Sequence, residues 1–93
     1  MHLYIVRVEL NGSRDYADYE KLHTAMAKVG FDRTIRSGNT TFRLPTAEYA
    51  INSSKSLTEI RELARNAANS VNQNNEILVI KVAEIDWYLK PIS

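Results

Sequence analysis

The chain predicts an α+β domain: a ferredoxin-like βαββαβ sandwich with a four-stranded antiparallel sheet, two helices on one face and a C-terminal extension. Three observations carry that prediction. Hydrophobic spacing switches between strand and helix periods in the order strand, helix, strand, turn, strand, helix, strand. Turn residues mark the switches, at Asn11-Gly12-Ser13, Gly30, Ser37-Gly38-Asn39, Asn52-Ser53-Ser54 and Asn72-Gln73-Asn74-Asn75. The 93 residues hold no repeat, linker or low-complexity tract and suffice for a single domain, 1–93. Right-handed crossovers then give a strand order of 4-1-3-2.

His2 to Leu10 alternates as a strand, with Tyr4, Val6, Val8 and Leu10 on one face and Leu3, Ile5, Arg7 and Glu9 on the other. Apolar residues on both faces early in the strand place it centrally. Asp15 to Val29 shifts to helical spacing, with Tyr19, Leu22, Met26 and Val29 as its apolar stripe. Ser13 or Asp15 is the N-cap, since a short oxygen-bearing side chain accepts a free amide of the first turn. Gly30 suits the C′ position, where a left-handed backbone is common. Phe31 to Arg36 and Thr40 to Leu44 read as a hairpin around Ser37-Gly38-Asn39. Pro45 lacks an amide hydrogen, so the second of these strands is interrupted or bulged there; alternation resumes at Ala47, Tyr49 and Ile51. Ser56-Leu57-Thr58-Glu59 is a capping box. Leu57, Ile60, Leu63, Ala64, Ala67 and Val71 form the second helical stripe, and Glu76 to Glu84 is the last strand.

Twelve basic and eleven acidic side chains leave a net charge of +1, which argues against coating nucleic acid by bulk charge but allows a local basic patch. Cysteine is absent, which excludes disulfides, thiolate metal sites and thiol nucleophiles. No apolar run approaches the roughly 20 residues that span a bilayer. The amino terminus opens as an amphipathic strand without the charged region and cleavage site of a signal peptide. The expectation is a soluble, cytoplasmic protein with no membrane partner.

If Leu78, Ile80 and Val82 join Tyr4, Val6 and Val8 under the helices, the opposite face follows by alternation. It would carry Leu3, Ile5, Ile77 and Val79 with a fringe of Arg7, Arg36, Arg43 and Lys81. Such a patch does not normally face water. Three covers are open. The tail from Ile85 (residues 85–93) folds over it or pairs with a partner's sheet; two sheets stack across the two-fold axis of a homodimer; or nucleic-acid bases stack there. The strands lack exposed aromatics in alternating places, which disfavours the last.

His23 stands one position beyond Leu22, beside the apolar stripe rather than in it. It reads as a general acid or base or a phosphate contact, or as a boundary histidine hydrogen-bonded to a neighbour. Glu9 reads as a Mg²⁺ ligand, because hard cations take carboxylate oxygens, or as a solvated charge. Arg33, Arg36 and Arg43 flank the hairpin, where they grip phosphate or pair with Asp32, Glu48 or a partner's carboxylate. No cluster has metal-ligand spacing, and no glycine-rich phosphate loop is present.

Tyr19-Glu20-Lys21-Leu22-His23-Thr24-Ala25-Met26, then Gly30-Phe31-Asp32-Arg33-Thr34-Ile35 and Phe42-Arg43-Leu44-Pro45-Thr46-Ala47-Glu48-Tyr49, together resemble a small bacterial family. It is the GhoS-like family of endoribonuclease antitoxins from type V toxin–antitoxin systems. The resemblance covers most of the chain and rests on a helix ending in Gly-Phe followed by a third strand containing Leu-Pro. It implies a ferredoxin-like fold related to the smaller CRISPR adaptation protein, often dimeric. It also implies an antitoxin that cleaves the single-stranded messenger RNA of a membrane toxin. The CRISPR relatives carry an aspartate where this chain has Glu9. On this reading His23 and Glu9 are the catalytic candidates, with Mg²⁺ as an optional cofactor. Arg7, Arg33, Arg36, Arg43 and Lys81 would hold RNA, and the expected assembly is a homodimer. The alternative is a non-catalytic dimeric module that binds protein or nucleic acid through its open sheet face.

Overall fold

The computed structural model describes residues 1–12 and 15–92. In chain order they form β1 (His2–Leu10), α1 (Tyr16–Lys28), β2 (Thr34–Ser37), β3 (Thr40–Arg43), β4 (Glu48–Ser53), α2 (Leu57–Asn69) and β5 (Asn75–Lys81). β1 is the middle strand of an antiparallel sheet ordered β4-β1-β5, and β2 pairs with β3 in a separate two-stranded sheet. The α+β class is as expected; a single four-stranded sheet is not what forms. The chain after Phe31 meets the outer edge of β4 at one bridge, where Asp32 and Ala50 exchange two backbone hydrogen bonds of 2.8 Å. From Arg33 onward its backbone pairs with β3 instead. The Leu44 amide donates to the Arg33 carbonyl, and the register runs from Thr34–Arg43 to Ser37–Thr40. The loop is therefore Gly38-Asn39 alone. Gly38, at φ +59°, supplies the positive φ that the first central position of a type II′ turn requires.

Pro45 separates β3 from β4. The Glu48 amide donates to the Pro45 carbonyl at 3.0 Å, closing a turn in which Ala47 takes φ 66°. Glycine is the usual residue there. Ala47 is held in place because it is buried and its carbonyl accepts from the Val8 amide at 3.0 Å. β4 then starts in the register that points Tyr49 and Ile51 to the same side as Val6 and Tyr4.

Both helices start at caps. Asp15 accepts from the Ala17 amide at 3.0 Å; Ser13, the other candidate, lies outside the described residues. Ser56 and Glu59 complete the capping box on α2. Leu22 and Met26 of α1 and Ile60 and Ala64 of α2 bury against Tyr4, Val6, Val8 and Leu10. A large apolar side chain so buried contributes about 1.5–3 kcal/mol. Val29 drops out of the expected stripe because the helix has already ended at its cap there.

β5 is shorter than expected at its C-terminal end, and its faces are reversed. Val8 pairs with Ile77, Val6 with Val79 and Tyr4 with Lys81. Ile77 and Val79 therefore join the helix-side core, and Lys81 belongs to that side rather than to the open face. Leu78 and Ile80 point away, 56% and 49% exposed. Alternation cannot phase an unbroken run of four apolar residues; cross-strand register with β1 does.

The chain itself covers part of the other face. Ile35, Leu44 and Ala50 are buried there, packed with Leu3, Ile5, Phe42, Trp87 and Leu89. The tail leaves β5 with the Val82 amide bonded to the Leu3 carbonyl. It reaches the hairpin at Phe42–Pro91, where the Ile92 amide donates to the Thr41 carbonyl at 2.8 Å. Phe42 and Trp87 meet edge to face, their ring centroids 5.5 Å apart. The tail folded over its own sheet, one of the covers considered, is thus present within the chain.

Candidate functional site

α1 displays Tyr16, Glu20 and His23 along one stripe, because residues four and three apart on a helix are neighbours. Opposite His23, β4 presents Tyr49, whose side chain is fully buried. A buried tyrosine hydroxyl needs a hydrogen-bond partner, and here it is His23: Nδ1 lies 2.6 Å from the Tyr49 oxygen. The rings are 5.7 Å apart and tilted by 57°. Of the two readings of His23, the histidine bonded to a neighbour is thus realised. It leaves Nε2 available, as acid–base chemistry requires.

Electrostatics keep this imidazole neutral. Burial first, then the Arg33 guanidinium, hold His23 below its ordinary value; Glu20 pulls the other way and Arg43 adds a smaller push down. Burial raises the Tyr49 phenol far above its ordinary value, opposed by Arg33. Tyr49 therefore stays protonated at neutral pH. Two tautomers satisfy the 2.6 Å contact: Nδ1–H donating to the phenol oxygen, or the phenol donating to a bare Nδ1.

The hairpin brings the positive charge. Arg33 lies at its base, and Thr34 pairs with Arg43 and Arg36 with Thr41. Ile35 and Phe42 point to the buried cluster, so Thr34, Arg36, Thr41 and Arg43 share the outer face by alternation. Arg33 and Arg43 both act electrostatically on His23. Arg36 continues the same face towards the turn.

The other candidates lie elsewhere. Arg7 and Glu9 alternate with the buried Val6, Val8 and Leu10 and therefore project from the face away from the helices. Glu9 stands opposite Glu76 across β1 and β5, beside a depression of about 230 Å³ that Arg7 also lines. Mg²⁺ usually binds one or two carboxylates together with waters and substrate phosphates, and this pair offers the carboxylates alone. It is on the wrong side of the sheet to serve His23. Among the described residues, no three His, Cys, Asp or Glu side chains gather into a metal cage. Lys81 sits opposite Tyr4 at the far end of β5 from Glu9.

The sequence does not single out Tyr49 as the partner of His23, or Glu20 and Tyr16 as its neighbours along α1. Tyr49 was legible in principle: alternation sends it inward, where its hydroxyl needs a partner, and His23 flanks the helix stripe that it faces.

No helix is long and apolar enough to cross a membrane among the described residues. The model of a family described as Endoribonuclease GhoS matches residues 1–90. No curated protein matches the chain.

Proposed function

The chain belongs to the GhoS endoribonuclease family, and we propose that it cleaves single-stranded RNA at the His23 centre, as an antitoxin acting on a toxin's messenger in the cytoplasm. The observation that carries this reading is a neutral imidazole held by Tyr49 beside Arg33 and Arg43. RNA cleavage needs a base for the 2′-hydroxyl and positive charge at the phosphate. With Nδ1–H donating to Tyr49, Nε2 has a free lone pair and takes the 2′-hydroxyl proton. The 2′-oxygen attacks phosphorus and the bond to the 5′-oxygen breaks. A 2′,3′-cyclic phosphate forms, and the 5′-oxygen takes up a proton, from the imidazolium or from water. Arg33 and Arg43 hold the non-bridging oxygens, and Arg36 takes the next phosphate along the hairpin. Arg7 and Lys81 are left to weaker, more distant RNA contacts.

The test is cleavage of a panel of single-stranded RNAs with Mg²⁺ and with EDTA, beside His23→Ala and Glu9→Ala. Removing a general base typically costs about 10²–10⁴-fold in rate, so folded His23→Ala should be nearly inactive. Glu9→Ala should cleave like the wild type. An unchanged rate in folded His23→Ala would remove His23 from the mechanism.

A second reading rests on β5. It ends the sheet, and its half-exposed Leu78 and Ile80 offer a homodimer contact for a non-catalytic module. Leu78→Lys should then abolish a dimer seen in sedimentation; a wild-type monomer at high concentration would end that reading.

A further inference from the structure

Tyr16 opens α1 and is 78% exposed, a large ring that packs into neither apolar cluster. It shares a helix stripe with His23 seven residues on, about 10 Å along the axis. Glu20 lies between them on the same stripe, four residues from Tyr16 and three from His23. Arg33 and Arg43, the two guanidiniums that act on His23, also act on Tyr16. These charges tie the ring to the same patch as the imidazole.

An exposed aromatic face on the helix stripe of His23, within the field of two guanidiniums, has the chemistry of a nucleobase seat. Single strands bind by stacking bases on aromatic rings while basic side chains track the phosphates. The Glu20 carboxylate sharpens the geometry, since it repels phosphate from the helix and directs the backbone to the hairpin side. We propose that Tyr16 is the stacking platform for the base of a nucleotide neighbouring the scissile phosphate, whose backbone lies on Arg33 and Arg43. This rests on the RNA-cleaving reading of the His23 centre. Stacking is tolerant of base identity because every base has a π-face, so Tyr16 sets affinity and register along the strand more than sequence.

The experiment is a fluorescence titration with a short, uncleavable 2′-O-methyl single strand carrying 2-aminopurine, beside an abasic strand of the same length. Wild-type protein should quench the 2-aminopurine and bind the base-bearing strand more tightly than the abasic one. Tyr16→Ala should lose the quenching and weaken binding of the base-bearing strand by roughly 5- to 150-fold, leaving the abasic strand unaffected. Tyr16→Phe should keep both properties, because the ring does the stacking. The site is exposed and alanine is a strong helix former, so the variant's fold is checked simply by circular dichroism. Tyr16→Ala that binds the base-bearing strand like the wild type would overturn the proposal while leaving the RNA reading standing. Wild-type protein that binds neither strand would overturn both.

Discussion

Under α1 and α2, the central strand buries Tyr4, Val6, Val8 and Leu10 to 2% exposure or less. On the opposite face, Leu3 and Ile5 are only partly buried beneath the hairpin and tail, and Leu78 and Ile80 stay about half exposed. The helices present broad apolar stripes, whereas the hairpin and tail present single rows of side chains. Stability should therefore reside on the helix side. The hairpin has a second duty: Ile35 and Phe42 face the sheet, while Arg36 and Arg43 face outward. The thinner cover is the one that carries exposed positive charge.

This contrast can be broken or sharpened by substitution. Ile60→Ala, in the fully buried helix face, should cost about 2–5 kcal/mol in urea unfolding, a large share of what a domain this small possesses. Trp87→Ala, across the sheet, removes a partly buried ring and its edge-to-face contact with Phe42. About 1–2 kcal/mol should be lost there; a larger loss than at Ile60 would refute the ranking of the two faces.

Tyr49→Phe keeps the helix-side packing but removes the hydroxyl from His23, for about 0.5–1.5 kcal/mol. Its clearer readout is ¹⁵N NMR of the imidazole, which should show a changed tautomer balance; an unchanged spectrum would mean that Tyr49 does not orient the ring. Ala47→Gly relieves a left-handed backbone that costs about 1–2 kcal/mol, offset by about 0.5–1 kcal/mol of glycine entropy. Its melting temperature should rise slightly or stay level.

The smallest effect is on pH dependence. His23 is held below its ordinary value of 6.5, so as pH falls the unfolded chain takes up its proton first. Folding stability should be unaffected above 6.5 and decline as pH drops through that value towards the lowered one. Solvent screening keeps the change small, and His23→Ala should flatten it in urea midpoints measured across that range. Cleavage should persist to lower pH than a free imidazole would allow.

Local signals made much of this molecule legible from its residues alone. β1 was set by alternation, the helix starts by Asp15 and the Ser56–Glu59 box, and the hairpin by Gly38, because each depends on residues a few positions apart. His23 and the arginines could be singled out by type and by their place on those elements. Tertiary structure alone decided the phase of Ile77-Leu78-Val79-Ile80, the departure of β2 from the edge of β4, and the landing of the tail on β3. It also chose the partner of His23, a tyrosine 26 positions away. Each of these is a choice of register between distant segments. A run that is apolar on both faces, or a strand that can pair on either side, carries no local preference, so only the packed neighbours select one.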